Sequence, residues 1–108
     1  MTDPQPSDFQ KIATVSQLPA EGQARSFPCG ARVVCVARIG GVLAAIDDVC
    51  PHRGGPLGDG VIEGTHIVCP WHGWEYDLET GNSITVPNVT QDVFEIKIDG
   101  DDVLARKR

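Results

Sequence analysis

The chain has 108 residues, a formal net charge of −6, and 41% hydrophobic and 22% charged residues. This length suits one domain, residues 1–108, and is too short for two independent cores. The negative charge argues against nucleic acid as a partner, because phosphates would repel it. No apolar run approaches the roughly 20 residues of a membrane-spanning helix, so no membrane partner is expected. The opening MTDPQPSDFQ lacks the basic and apolar stretches of a secretory signal, which favours a cytoplasmic protein.

Short β-branched runs separated by glycine and proline predict many brief strands joined by tight turns. In chain order, residues 11–15 are typical of a first strand, and residues 15–19 of a helical turn that Pro19 ends. Residues 32–38 and 42–46 flank Gly40-Gly41. This pair predicts a two-residue hairpin, because both glycines accept positive φ.

The second half of the chain continues the pattern of short strands. Residues 77–81 indicate a turn that Gly81 closes, and Gly100-Asp101 indicates the last hairpin. The whole pattern predicts an all-β protein, an antiparallel β-sandwich or barrel. Residues 48–87 are richer in glycine, proline and aromatic residues than their flanks, which predicts a small lobe inserted into the larger sandwich. The predicted strands of this half are residues 61–62, 66–69, 74–76, 93–98 and 103–105.

Two Cys-Pro steps, each followed closely by a histidine, are the strongest chemical signal. The first is Cys50-Pro51-His52 and the second is Cys69-Pro70-Trp71-His72. A Rieske [2Fe–2S] centre needs two thiolates on one iron and two imidazoles on the other, which these loops offer. Two Cys and two His also satisfy zinc. However, the single residue between Cys50 and His52 is shorter than the spacing usual for chelating one ion.

The stretches CPHRGGPL and CPWHGWEYD resemble the Rieske family signature, C-x-H followed at a distance by C-x-x-H. The pattern is similar to that of bacterial Rieske-type ferredoxins and of the Rieske domain of ring-hydroxylating oxygenases, and the resemblance covers most of the chain. It implies a Rieske-type antiparallel β-sandwich or barrel with an inserted cluster-binding lobe. It also implies one [2Fe–2S] cluster per chain, with four ligands: Cys50, His52, Cys69 and His72.

Three neighbouring positions are expected to tune the cluster. Rieske proteins of the cytochrome complexes carry a disulfide between the ligand loops, at the positions that match Gly55 and Trp71 here. Their serine donor to a cluster sulfur matches Trp74, whereas Tyr76 keeps the position of a second donor. Hydrogen bonds to sulfur raise the reduction potential of such a cluster. Because this chain lacks the disulfide and the serine donor, the resemblance predicts a low potential. We expect it within about 100 mV of the lower end of the range of roughly −150 to +300 mV.

The remaining cysteines, histidine and acidic residues receive no role in the cluster. Cys35 lies in an apolar run and is expected to be a core thiol, whereas Cys29 is interpreted as a turn residue. A disulfide between them is the alternative, disfavoured in a reducing compartment. His66 is expected to be a surface or internally paired histidine. The acidic residues at 47–48, 75–79 and 99–102 are expected in solvated turns.

The sequence predicts an electron carrier that is not itself an enzyme. It lacks a candidate second iron site of two histidines and a carboxylate, and it lacks a G-x-G-x-x-G nucleotide motif. The resemblance implies the ferredoxin component of a multicomponent oxygenase, with a flavin-dependent reductase and a terminal oxygenase as partners. The alternatives are the small subunit of an assimilatory nitrite reductase, bound to its large subunit, and a zinc-stabilised interaction module. A fragment of an oxygenase large subunit is disfavoured by the strand pattern near the charged end.

Overall fold

The computed structural model describes residues 9–50, 54–71 and 73–108, which are nearly all in strands and turns. Two short 3-10 helices, Val15–Gln17 and Leu57–Asp59, interrupt the strands. No helix within the described ranges is long and apolar enough to cross a membrane. The strands are β1 Gln10–Thr14, β2 Ala24–Cys29, β3 Arg32–Ile39, β4 Val42–Asp47, β5 Val61–Glu63, β6 His66–Val68, β7 Glu75–Asp77, β8 Val93–Asp99 and β9 Asp102–Lys107.

Six strands form one antiparallel sheet in the order β1-β9-β8-β4-β3-β2. Its two outer strands approach each other, so the sheet curls almost into a barrel. Gly30, just after β2, lies so close to β1 that an added Cβ would be 2.7 Å from Oε1 of Gln10. The predicted all-β antiparallel architecture is therefore confirmed.

The hairpin between β3 and β4 turns at Gly40 and Gly41, as the sequence predicts. Their φ angles are 60° and 79°, a region that glycine adopts without steric cost. Both amides donate to the carboxylate of Glu21, at 2.6 and 2.8 Å. These bonds lower the pKa of Glu21, because they favour its charged form. The hairpin lies at the end of β4 remote from Asp47.

A second sheet, in the order β5-β6-β7, is formed by chain that lies between β4 and β8. These two strands pair at Ala45 with Phe94 and at Ile46 with Val93. The amide of Asp47 also donates to the carbonyl of Asp92, at 2.9 Å. The chain thus leaves the large sheet and returns to it at adjacent points. The division into a large sandwich and a lobe at residues 48–87 stays a prediction.

Two hydrophobic clusters fill the molecule, one on each face of the large sheet. Alternation along the strands produces them, because successive side chains point to opposite faces. The first cluster lies inside the curled sheet and includes Phe27, Val34, Val36 and Phe94. The second lies between the large and small sheets. Its buried members are Cys35, Ala37, Ile46, Cys50, Leu57, Ile67, Cys69, Tyr76 and Leu78.

The structure corrects the interpretation of Cys29 and confirms that of Cys35. Cys29 is not a turn residue. It is the last residue of β2, paired with Arg32 and buried in the first cluster. Strand β2 escapes prediction because Pro28 weakens a strand pattern, although proline is tolerated on an edge strand such as this one. Cys35 is fully buried in β3, and both thiols are free.

Candidate metal centre

Cys50 and Cys69 bring their thiols together in the second hydrophobic cluster. Cys50 lies three residues beyond β4, and Cys69 directly follows β6. The two residues are 1% and 2% exposed. Burial raises the pKa of Cys69 and the neighbouring Cys50 side chain raises it further, whereas the Trp71 amide, which donates to the sulfur, lowers it. Two adjacent buried sulfurs therefore fit the thiolate side of an iron centre, since a metal ion would favour their deprotonated forms.

Tyr76 adds a buried hydroxyl to the two thiols. It lies in β7, and its oxygen is 3.3 Å from Sγ of Cys50. Burial and the neighbouring cysteines raise the pKa of Tyr76, so the phenol keeps its proton at neutral pH. A protonated hydroxyl facing a thiolate acts as the donor.

Both cysteines begin turns with the same backbone pattern. In each turn, the amide four residues after the cysteine donates to the cysteine carbonyl. The cysteine amide donates to the carbonyl five residues onward. Gly54 and Gly73 occupy corresponding positions with φ of 76° and 75°, where other residues would be strained. The four bonds are Gly54 N to Cys50 O (2.6 Å), Cys50 N to Gly55 O (2.9 Å), Gly73 N to Cys69 O (3.2 Å) and Cys69 N to Trp74 O (2.7 Å).

Gly55 and Trp71 meet across the two turns. A Cβ added to Gly55 would lie 2.9 Å from Sγ of Cys69 and 3.0 Å from Cγ of Trp71. These separations are too short for a side chain, so the glycine lets the indole ring and the sulfur approach. Trp71 is nevertheless 49% exposed. A packing contact therefore joins the positions that the resemblance matches to a disulfide.

The other predicted site residues lie around this centre or outside the described residues. Trp74 is half-buried and packs against the second cluster. His66 lies in β6 with Nδ1 3.5 Å from Oε1 of Glu75, consistent with a paired histidine. His52 and His72 lie outside the described residues. Among the residues that the structure describes, no group of three or more His, Cys, Asp or Glu is arranged to hold a metal ion.

Sequence reasoning missed two buried polar residues beside the first turn. Asp48 was expected in a solvated turn but is only 4% exposed, and Gln91 is 8% exposed. Burial raises the pKa of Asp48, while hydrogen bonds from Ser26 and Gly58 oppose this shift. The only feature of the sequence that could indicate burial of Asp48 is its position two residues before a cysteine. No local pattern indicates burial of Gln91.

Comparison with known proteins identifies the class of this centre. Residues 8–99 match the Rieske [2Fe-2S] domain, and the chain therefore belongs to that family. The family holds one Rieske-type [2Fe–2S] cluster, and the adjoining buried thiols and the hydroxyl beside them fit such a group. The zinc alternative is not retained.

The chain is similar along most of its length to ferredoxin components. It is 31% identical over 98 residues to the ferredoxin component of the alkene monooxygenase system of Xanthobacter autotrophicus, covering 90% of this chain and 80% of that protein. It is 30% identical over 86 residues to the ferredoxin component of the naphthalene 1,2-dioxygenase system of Pseudomonas aeruginosa, covering 78% and 82%. Other relatives are much longer. The chain spans 11% of the dicamba O-demethylase oxygenase component of Stenotrophomonas maltophilia and 17% of human apoptosis-inducing factor 3.

Solved structures share the same fold. The ferredoxin of carbazole 1,9a-dioxygenase from Nocardioides aromaticivorans IC177 superposes with a TM-score of 0.80 at 28% identity, covering 93% of this chain and 98% of that chain. A nitrite reductase NADPH small-subunit protein superposes with a TM-score of 0.75 at 14% identity, covering 90% and 96%. The second likeness shows the fold alone.

Proposed function

We propose that this protein carries single electrons from a flavin-dependent reductase to a terminal oxygenase. The observation that supports this function best is the pair of adjoining buried thiols, Cys50 and Cys69, with the Tyr76 hydroxyl 3.3 Å from one sulfur. Relatives that share most of their length with this chain are ferredoxin components of oxygenase systems. The proposed role is that of an electron-carrier component that is not an enzyme in its own right, and the proposed location is the cytoplasm.

The proposed ligands divide between the two irons. Cys50 and Cys69 would hold one iron as thiolates, and His52 and His72 would hold the other through imidazole nitrogens. The cluster supplies a one-electron couple when bound. The two imidazoles would add no charge to the iron that they hold, whereas each thiolate would add one negative charge to the other.

The residues around the thiols set how easily the site accepts negative charge. The Tyr76 hydroxyl and the Trp71 amide donate towards Cys50 and Cys69 and favour the reduced state. No disulfide joins the loops, because Gly55 and Trp71 have no sulfur. We therefore propose a potential near the lower end of the Rieske range. Trp71 and Trp74 tune the site through packing.

A nitrite reductase small subunit is the second candidate function. It is favoured only by the shared fold at 14% identity. The oxygenase ferredoxins are supported by twice that identity or more over comparable shares of the chain. The first function is therefore preferred.

One experiment tests the proposed function directly. The purified protein is assayed for two irons and two acid-labile sulfides per chain. It is then mixed under anaerobic conditions with a flavin-dependent ferredoxin reductase and NADH, followed by an oxidised Rieske oxygenase. The expected result is bleaching of the visible spectrum in the first step and recovery in the second. A protein that holds the cluster but does not pass its electron to the oxygenase would overturn the proposal.

A matched pair of variants tests whether Cys50 is a cluster ligand. Cys50→Ser is expected to lose the cluster or change its spectrum, whereas Cys35→Ser is expected to keep both. Cys35 suits this control because it is a buried thiol in the same hydrophobic cluster as Cys50 and has no proposed contact with iron. Equal iron content and spectra in both variants would exclude Cys50 as a ligand.

A further inference from the structure

We propose that Asp48 and Gln91 are positioning residues that hold the first ligand turn, which begins at Cys50, in place through two separate sets of hydrogen bonds. Asp48 belongs to the short segment between β4 and Cys50, and Gln91 contacts this segment from the chain that follows β7. This inference rests on the proposed ligand role of Cys50. Neither residue is proposed to touch the cluster.

The carboxylate of Asp48 ties the segment to the large sheet and to the chain beyond the turn. Its Oδ1 accepts a hydrogen bond from Oγ of Ser26, at 2.8 Å, and another from the amide of Gly58, at 2.6 Å. Ser26 lies in β2, and Gly58 lies in the 3-10 helix after the turn. A Cβ at Gly58 would lie 2.6 Å from the Ser26 amide nitrogen, so only glycine allows this approach.

The main chain of Asp48 makes two hydrogen bonds, as its side chain does. Its amide donates to the carbonyl of Val33 in β3, at 2.9 Å, and its carbonyl accepts from the amide of Leu57, at 2.8 Å. Leu57 is fully buried in the second hydrophobic cluster. Asp48 therefore connects β2, β3 and the 3-10 helix, leaving its own backbone little freedom to move.

Gln91 holds the same segment through its side-chain amide. Its Nε2 donates to the carbonyls of Asp47 and Val49, at 3.0 and 2.6 Å. Its own amide donates to the carbonyl of Gly81, at 2.7 Å. One buried side-chain amide thus joins the first ligand turn to the chain that follows β7.

The contacts of Asp48 and Gln91 fix the position of Cys50. In three successive residues, Asp47, Asp48 and Val49, every backbone amide and carbonyl is hydrogen-bonded, the Val49 amide to Oδ1 of Asp47 at 2.9 Å. The next residue therefore starts from a fixed position. The Cys50 sulfur must lie next to the Cys69 sulfur and 3.3 Å from the Tyr76 hydroxyl. Removing an outer partner that orients a metal ligand typically lowers metal affinity by roughly 10- to 100-fold.

The test compares substitutions in the intact, cluster-loaded protein. Asp48→Ala and Gln91→Met remove the tethers, and Asp48→Asn keeps an oxygen for both donors. Glu21→Ala is the matched control, because this carboxylate likewise accepts two hydrogen bonds, both from backbone amides, but lies at the hairpin remote from Cys50. The measurements are iron release to a chelator, the electron paramagnetic resonance spectrum of the reduced cluster, and hydrogen exchange of the Gly58 amide.

We expect Asp48→Ala and Gln91→Met to release iron about 10-fold faster or more and to shift or broaden the resonance lines. Asp48→Asn should restore both properties, and Glu21→Ala should match the unchanged protein. The Gly58 amide should exchange faster in Asp48→Ala only. Equal release and spectra in Asp48→Ala, Gln91→Met and Glu21→Ala would overturn the proposal.

One further variant, Ser26→Ala, tests the proposal if Asp48→Ala does not fold. If Asp48→Ala does not fold, Ser26→Ala removes one tether and should move iron release in the same direction by a smaller factor. Unchanged values in both Ser26→Ala and Gln91→Met would overturn the proposal. Failure of the ligand assignment is recognised separately, because Cys50→Ser would then keep its iron and spectrum whatever happens at Asp48.

Discussion

The hydroxyl oxygen of Tyr76 lies 3.3 Å from Sγ of Cys50, and both residues are almost completely shielded from solvent. A donor facing a thiolate stabilises the more negative state of a centre that the thiolate binds. Because burial and the cysteines keep the phenol protonated, this donor persists across the physiological pH range. Removing this contact therefore tests how far one hydrogen bond changes the reduction potential of the centre.

Tyr76→Phe is expected to lower the midpoint potential while the cluster is retained. The variant removes the donor but keeps the ring that fills the core. A differential hydrogen-bond energy of about 1 kcal/mol corresponds to roughly 40 mV for one electron. Protein-film voltammetry measures the shift. Cys35→Ser serves as the control, because it changes a buried residue that has no proposed contact with the cluster or its ligands. An unchanged midpoint in Tyr76→Phe would mean that the hydroxyl does not act on the cluster.

The unmodified protein is expected to have a midpoint within about 100 mV of roughly −150 mV. The resemblance predicts this value, because Gly55 and Trp71 supply no disulfide and Trp74 stands where relatives of the cytochrome complexes carry a serine. The same voltammetric measurement at neutral pH checks this value. A midpoint above about +100 mV would contradict the proposed low potential.

His72→Cys is expected to permit some cluster assembly with a lower potential. A thiolate in place of an imidazole adds negative charge at the iron that accepts the electron. The visible spectrum and the midpoint potential should therefore both change. If neither differs from the unmodified protein, His72 is not a ligand. His66→Cys provides the control, because His66 pairs with Glu75 on the small sheet.

Gly55→Ala is expected to destabilise the protein by about 1–3 kcal/mol, the usual cost of overpacking. The new methyl would lie 2.9 Å from Sγ of Cys69 and 3.0 Å from the Trp71 ring. Denaturant unfolding and iron retention measure the effect. Trp71→Ala in the same chain removes one of the two contacts, so the double variant should lose less than the sum of the single losses. Strict additivity would show that the two residues do not meet.

Glu21 is expected to titrate below the ordinary pKa of a glutamate, because its carboxylate accepts the Gly40 and Gly41 amides. A carboxyl whose folded pKa is depressed contributes stability above its unfolded pKa. That contribution is lost as the pH falls through the folded pKa. Nuclear magnetic resonance titration of Glu21 measures the direction, and Glu21→Gln should remove this part of the acid sensitivity. A pKa at or above the ordinary value would contradict the contact.

Local signals were enough to predict the turns and most strands. Gly40-Gly41, Gly81 and Gly100 close turns where the sequence places them, because positive φ is a property of the residue itself. Cys35 could be assigned to the core because its neighbours are apolar and β-branched. In contrast, β2 contains Pro28 and alternates weakly, so its pairing with β3 decides its conformation.

Polar burial around the centre could not be predicted from local sequence. Asp48 depends on Ser26, 22 residues earlier, and Gln91 on the carbonyls of Asp47 and Val49, 44 and 42 residues earlier. Such partners meet only after the sheets have assembled. The matching backbone hydrogen bonds of the Cys50 and Cys69 turns could not be predicted either. The three residues between each cysteine and its glycine, Gly54 or Gly73, differ between the two turns.

The pairing of β4 with β8 has a consequence for protein engineering. The Asp47 amide bonds to the Asp92 carbonyl, so the intervening chain begins and ends at two points one hydrogen bond apart. A short hairpin connection could span that gap and leave a six-stranded host without a redox function. Conversely, the same excursion could be transplanted between adjacent antiparallel strands of an unrelated host. Its acceptor strands would have to supply counterparts of Ser26 and Val33 to receive it.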